Sequence, residues 1–353
     1  MDRYIGLDAH AESCTIAVMS KTGRKLRCNV LDTSADVLID FLKGIAGERH
    51  LCLEDGQLAE WLVEVLGSHV DTIKVTQPER HTGQKTDEED AWSLAEQIRV
   101  QARATYVFKP TRHLRELREA MRTYEVAVQD LVRAKNRLRA LFRSRGVREL
   151  SDAIYDPMKR HEWIQMLHTA FRQRARWLGE HLDAMTRQHS TAQDELESIA
   201  KKHADVLRLA TIPGIGLIRA ATIVSIVVTP NRFPTRSKFW KYCGLGIVVH
   251  SSSDWEKTSN GSWSRRQKVQ VRGLHPGNRL LKNVLKGAAT SVIGMTNHPL
   301  RHHFDRMVAQ GTPAHLARLT VARRIGAMAL AMWKKKEGYQ PSKYLAPPAL
   351  ASA

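Results

Sequence analysis

The chain has 353 residues, 42% of them hydrophobic, with 55 Lys and Arg against 36 Asp and Glu for a net charge of +19 at pH 7. That apolar share excludes a disordered basic tail, and the length implies two or three modules rather than one core. Residues 1–98 hold 10 basic and 18 acidic side chains (net −8), residues 99–208 hold 23 and 14 (net +9) and residues 209–353 hold 22 and 4 (net +18), a lopsidedness that points to a polyanionic partner, nucleic acid first.

Residues 4–8, 14–19 and 25–31 read as three short consecutive strands, the first ending on the carboxylate of Asp8. Helical spacing follows over 33–45. A short apolar strand over 50–53 runs into Glu54. Residues 58–66 read as helix, 72–76 as strand and 87–102 as helix. Three strands followed by alternating helix and strand predict an α/β sheet that starts with a meander.

Residues 111–208 read as wholly helical. Leu114, Leu117, Met121, Tyr124, Val128, Leu131, Leu138 and Phe142 follow 3-4 spacing, with Lys135 at the one polar seam position. A second stripe runs through Ile164, Leu167, Phe171, Leu178, Met185, Ala192, Leu196 and Ile199, and Gly146 and Pro157 bracket the break. Two long heptad helices predict an antiparallel coiled-coil hairpin. It reads equally as a dimerisation or RNA-binding arm and as a linker packed on its flanking domains.

In the last third, Ile212-Pro213-Gly214-Ile215-Gly216 opens an apolar helix over 217–228. Residues 233–241 read as helix, 243–253 as strand or loop, and 259–270 as a polar, basic, mobile stretch. Residues 277–293 and 315–335 are expected to be the last two helices. The implied organisation is an N-terminal domain over 1–108, a helical arm over 109–208, a C-terminal domain over 209–345 and a Pro/Ala tail over 346–353.

Cys14, Cys28, Cys52 and Cys243 form no C-x-x-C pair, so neither a disulfide framework nor a zinc ribbon is indicated. Asp8 and Glu12 interrupt what would be the apolar core of a signal peptide, and the apolar stretch 220–230 is too short to span a bilayer. A soluble, cytoplasmic protein with no membrane partner is expected.

Four carboxylates carry the strongest chemical signal. Asp8 and Glu54 each end a strand of one sheet, and Asp87 and Asp90 share a helix face at i,i+3. Converging, they would hold divalent cations. Hard oxygen ligands suit Mg²⁺ or Mn²⁺, and two such ions can clamp a phosphodiester during displacement. Ordinary surface charge is the competing reading, and for Asp87, next to Thr86, a helix cap.

Gly214 and Gly216 precede a helix N-terminus, where backbone N–H groups can meet a phosphate, in a pattern resembling the helix-hairpin-helix grip on DNA. A plain turn uses the same residues. A basic strip runs through Arg265, Arg266, Lys268, Arg272, Arg279, Lys282 and Lys286, with Trp255 and Trp263 just upstream. The cations suit phosphates, and the indoles suit either unpaired bases or a core. Ser251-Ser252-Ser253 reads by itself as turn chemistry, since a serine is a poor nucleophile without a base or metal ion to activate it.

Taken together, Ile5-Gly6-Leu7-Asp8, Leu53-Glu54, the segment from Lys85 to Ala91, Pro213-Gly214-Ile215-Gly216, Tyr242-Cys243-Gly244-Leu245, the serine cluster and Gly277-Asn278-Arg279-Leu280-Leu281 resemble the DEDD transposases of the insertion-sequence family numbered one hundred and ten, including its eleven-eleven branch. The resemblance implies a RuvC-like, RNase H-type first domain whose metal-binding tetrad is Asp8, Glu54, Asp87 and Asp90. A mostly α-helical transposase domain with a serine nucleophile would come last. The family's register after Gly244-Leu245 selects Ser252, with Ser251 and Ser253 open beside it. The resemblance further implies a structured non-coding guide (bridge) RNA pairing with donor and target DNA, and a covalent phosphoserine link. It also implies a homo-oligomer, dimer or tetramer, on two double-stranded DNAs. The serine and the tetrad lie in different domains, so a composite active site is expected. A metal-dependent nuclease or junction resolvase that hydrolyses with water would use the same carboxylates and no serine.

Overall fold

The computed structural model describes residues 1–78, 86–101, 106–107, 114–148, 151–249, 255–265 and 271–344. The chain divides into two compact units, Met1–His113 and Leu114–Ala353.

The first unit is built on β1 (Asp2–Ala9), β2 (Ser13–Ser20), β3 (Lys25–Asp32), α1 (Ala35–Lys43), β4 (Glu48–Glu54), α2 (Ala59–Leu66), β5 (Thr72–Thr76), α3 (Asp87–Arg99) and the two-residue β6 (Tyr106–Val107). The strands form one sheet in the order β3-β2-β1-β4-β5-β6. β1 pairs antiparallel with β2 and parallel with β4, and β4 pairs parallel with β5. The meander is therefore one half of the sheet and the βαβ crossovers the other. This arrangement is consistent with a RuvC-like N-terminal fold. Edge strand β3 alternates Lys25, Arg27 and Asn29 on exposed positions, which discourages further strand pairing.

Period-two alternation divides the two sheet faces. Ile5, Leu7, Ile16, Val18, Leu51 and Leu53 pack with Leu38, Leu42, Leu62 and Leu66 of α1 and α2. The opposite face offers small or flat side chains, and α3 lies on it through Ala91, Trp92, Leu94, Ala95 and Ile98. Gly6 makes that approach possible: a Cβ there would fall 1.9 Å from the Ala91 carbonyl oxygen and 2.5 Å from the Ala95 nitrogen.

The second unit opens with α4 (Arg115–Arg143), a 3₁₀ turn (Asp152–Tyr155), α5 (Pro157–Met166) and α6 (Thr169–Ala200). Leu138 and Phe142 of α4 pack near Ala175 and Leu178 of α6. Tyr124 meets His189, and Glu116 meets Lys202 just beyond α6. The two long helices thus run antiparallel along the expected stripes. The second stripe does not form one helix: Leu167 ends α5 in extended backbone and the His168 side chain caps α6, accepting from the Ala170 N–H.

At the base, α7 (Ala204–Ala210), a turn through residues 211–216 and α8 (Leu217–Val227) join one core with α9 (Arg236–Tyr242), α10 (Arg279–Ile293) and α12 (Ala314–Lys335). Leu114, Leu117, Leu196 and Ile199, at the base ends of α4 and α6, belong to that same core. Residues 277–293 and 315–335 are not the last two helices. α11 (Pro299–Ala309) lies between them and α13 (Pro341–Tyr344) follows. Leu300 of α11 is buried and only half-buried Phe304 and Met307 support it, too weak a stripe among its charges to read from sequence. Between α9 and α10, β7 (Ile247–Val249) pairs with β10 (Val271–Leu274), and β8 (Trp255–Lys257) with β9 (Trp263–Arg265). A hairpin thus occupies part of the stretch expected to be mobile.

Candidate metal centre and nucleic-acid interface

Strand alternation decides where the first two carboxylates go. Ile5, Leu7, Leu51 and Leu53 point under α1 and α2, so Gly6, Asp8, Cys52 and Glu54 occupy the α3 face. The parallel register sets Leu7 against Leu53. Asp8 and Glu54 therefore end neighbouring strands at the same end of the sheet.

α3 supplies the other two. Its N-cap is Thr86, whose hydroxyl accepts the Glu89 N–H at 3.2 Å. Asp87 is consequently not the cap, and its carboxylate is left for the cleft. Asp87 and Asp90 stand on one face of the first turn, where the helix dipole favours negative charge. Glu88 and Glu89 are exposed, and Glu88 accepts the Trp92 indole N–H at 3.1 Å.

Asp8, Glu54, Asp87 and Asp90 all line one cleft of about 530 Å³. The Asp8 side chain is 14% exposed and that of Asp87 61%. Burial raises the Asp8 pKa above its ordinary value and the nearby Asp90 and Asp87 charges add to the rise, while His10 pulls it back down.

His10 is the site residue the sequence reading missed. Its Nε2 lies 3.1 Å from Asp8 Oδ2 and 3.4 Å from Asp87 Oδ1. The available signal was its place two residues beyond a strand-end carboxylate. Ligating atoms of Asp8, His10 and Asp87 lie within 4.8 Å of one another, a donor set and spacing that fit a divalent cation. Asp2, Glu48 and His50 are similarly close at the opposite end of β1 and β4. There Lys21 pairs with Asp2 at 3.0 Å and lowers its pKa, so the charge is already balanced by protein.

In the second unit, Gly214 adopts φ +81°, and a Cβ there would strike the Ala288 carbonyl oxygen at 2.5 Å and Val292 Cγ2 at 2.6 Å. This glycine seats the turn against α10. Gly216 is exposed as the N-cap of α8, with nothing within 4 Å of a Cβ built there. Arg219 holds the turn by donating to the Gly214 carbonyl at 2.7 Å and to Ser291 Oγ at 3.0 Å.

Of the basic strip, Arg265 ends β9 and Arg272 lies in β10. Arg279 and Lys286 are exposed on α10, and Lys282 is half-buried there. Arg266 and Lys268 lie outside the described residues, as do Ser251, Ser252 and Ser253. The stems of the segment carrying them are pinned together. A Cβ on Gly277 would meet the Gly244 nitrogen at 2.4 Å, the Asn278 N–H reaches the Tyr242 carbonyl at 2.7 Å, and the His275 N–H reaches the Gly246 carbonyl at 2.7 Å.

The four cysteines are free, and burial pushes the Cys52 and Cys243 thiols up to about 12, so these two are inert packing. Among the described residues no helix is long and apolar enough to cross a membrane.

Residues 5–145 match the family model of the DEDD transposases of the IS110 type, described as transposase. Residues 206–305 match the model described as transposase of the IS116/IS110/IS902 family. No curated protein matches the chain. The first match runs through the first unit into α4 and the second lies within the second unit, and together they support the IS110 family.

Proposed function

With two transposase-family matches as its premise, we propose that this chain is the DNA transposase of an insertion sequence, an RNA-guided recombinase that cleaves and exchanges strands. The observation that carries the chemistry is the convergence of Asp8, Glu54, Asp87 and Asp90 on one cleft. In this reading those four residues, with His10 at their rim, hold Mg²⁺ or Mn²⁺. Bound there, the cation would lower the pKa of an attacking hydroxyl and offset charge developing on the phosphate.

The chain's own residues do the rest. The four carboxylates would hold that cation, and the sheet end and the Gly6-seated α3 keep them in place. A serine of the 251–253 cluster, Ser252 by register, attacks phosphorus. One P–O bond forms as the scissile P–O bond breaks, and the leaving deoxyribose oxygen takes up the proton the serine gives up; the backbone energy is kept in a phosphoserine link and the reaction can run backward to rejoin. The basic last third grips DNA backbones, with Gly216 and the first turn of α8 as one phosphate contact and Arg279 and Lys282 as others. Sequence choice is left to base pairing by a guide RNA. The centre is composite in this proposal and assembles in a dimer or tetramer on donor and target.

The test is a denaturing gel of protein incubated with donor and target DNA, its copurifying RNA and Mg²⁺. A covalent protein–DNA adduct is expected, lost in Ser252→Ala and in Asp8→Asn while DNA binding persists. Cleavage without an adduct would instead assign hydrolysis by a resolvase-like nuclease. Sequencing the copurified RNA tests the guide: no structured RNA complementary to donor and target would remove that part of the reading.

A further inference from the structure

The β8–β9 ribbon presents its two tryptophans to solvent. Trp255 is 55% exposed and Trp263 65%. Its turn is well formed: the Thr258 N–H donates to the Ser262 carbonyl at 2.8 Å, the Gly261 N–H to the Thr258 carbonyl at 2.9 Å, and Gly261 sits at φ +81°. Within the ladder Trp255 pairs with Arg265 and Lys257 with Trp263. Directly opposed residues of an antiparallel pair share a face, and so do residues two apart on one strand. Trp255, Lys257 and Trp263 therefore share one face, with Arg265 in register across from Trp255. Both indoles, each more than half exposed, thus stand in diagonal register on one face, with a cation position across from each.

We propose that this face is a stacking platform for the bases of an unpaired DNA strand. Every base has a π-face, so indoles take them without regard to sequence, and interleaved cations follow the phosphates. Charge complementarity favours the same occupant: residues 209–353 carry 22 basic and 4 acidic side chains. The inference rests on the reading above that the chain handles DNA, and adds that it holds a strand after the duplex opens. The platform belongs to the segment pinned at Gly244 and Gly277, which also carries the serine cluster.

The full-length protein is titrated, without divalent cation, against a fluorescein-labelled oligodeoxynucleotide, the blunt duplex of the same sequence, and the matching RNA strand. Wild type is compared with the double variants W255A/W263A and W255F/W263F. The alanine pair is expected to weaken single-strand binding at least tenfold, leave duplex binding within about twofold, and leave the salt dependence unchanged, because stacking rather than charge was removed. The phenylalanine pair restores most of the single-strand affinity. Unchanged single-strand binding in W255A/W263A overturns the platform. Equal loss on strand and duplex overturns it too, as does a tenfold preference for RNA that the same variant abolishes. The assay reads no chemistry, so failure of the carboxylate mechanism leaves its outcome intact. Wild type that binds no DNA of either kind overturns the function it rests on.

Discussion

Gly6 and Ala91 meet backbone to backbone: the space a Gly6 side chain would need is already held by the Ala91 carbonyl, 1.9 Å from an ideal Cβ. Ala91 follows Asp90 directly, so the residue that lets α3 touch β1 also sets the height of two carboxylates above Asp8. A side chain two positions before Asp8 would not be a neutral change.

Gly6→Ala is expected to lift α3 off the sheet. Overpacking of this kind costs about 1–3 kcal/mol, and here backbone rather than a flexible side chain must move. Thermal melting should show the loss. Mn²⁺ titration by calorimetry should show a larger fractional loss of affinity than of stability, since Asp87 and Asp90 move as a unit. A variant of full stability and full Mn²⁺ affinity would contradict this account of the site.

His10 touches both Asp8 and Asp87, and imidazole nitrogen favours Mn²⁺ over Mg²⁺ more than carboxylate oxygen does. His10→Ala should therefore weaken Mn²⁺ binding by about tenfold, the lower end for a residue that orients or supplies a ligand, and Mg²⁺ binding less. Competition calorimetry gives the ratio. Loss of a ¹⁴N coupling from the Mn²⁺ electron-spin-echo spectrum identifies the nitrogen directly. An unchanged Mn²⁺/Mg²⁺ ratio would leave His10 as a bystander.

Burial, with Asp90 and Asp87 nearby, raises the Asp8 pKa. A carboxyl whose folded pKa lies above its unfolded value adds stability below the unfolded pKa, and that contribution is lost as pH rises through the folded one. At neutral pH, without cation, ionised Asp8 is thus a cost. Asp8→Asn should melt higher than wild type at pH 7 in chelator, and the advantage should vanish as pH falls below the ordinary carboxylate range. Added Mg²⁺ should reverse the order, stabilising wild type by about 2.7 kcal/mol at a hundred times its dissociation constant and Asp8→Asn hardly at all. A melting curve in which Asp8→Asn gains as much from Mg²⁺ would remove Asp8 from the ligand set.

Arg160 is 5% exposed, yet each of its three guanidinium nitrogens has a hydrogen-bond partner. It donates to both Asp183 oxygens at 2.8 and 2.7 Å and to the carbonyls of Ile154 and Tyr155 at 2.9 Å each. It ties the 3₁₀ turn and α5 to α6, and Gly179 leaves it room: a Cβ there would lie 2.7 Å from Nη1. Removing one partner of such a buried pair costs about 3–5 kcal/mol. Arg160→Ala should raise hydrogen exchange across residues 151–166 far more than across α4. The Arg160→Ala/Asp183→Ala double variant should cost less than the two single changes summed. Strict additivity would mean that the pair is not coupled.

The strands over residues 2–76 and the helices α1 to α3 were legible because alternation and 3-4 spacing there are clean. Asp8 and Glu54 could be placed at strand ends from that alone. Their adjacency could not, because β4 returns beside β1 and skips β3, a fact of topology rather than of local pattern. His10 escaped notice because it lies just past a strand, where no periodicity marks it. α11 was missed because Leu300 is its one fully buried side chain. The break at Leu167 and His168 interrupts a stripe that itself continues, so the heptads pass over it unmarked. Trp255 and Trp263 read as core or as surface until pairing put them together in the open.

Arg279 and Lys286 are exposed two turns apart along α10, and each is expected to neutralise a DNA phosphate. Changing either to Ala should reduce the slope of log binding constant against log salt by about 0.9 for duplex DNA. The loss should be equal across unrelated sequences, because phosphate contacts position and do not read. The double variant should reduce the slope by about 1.8, since two separate contacts add. Anisotropy titrations between low and moderate salt measure it. A sequence-dependent loss would make these side chains base readers, and an unchanged slope would move the DNA path off α10.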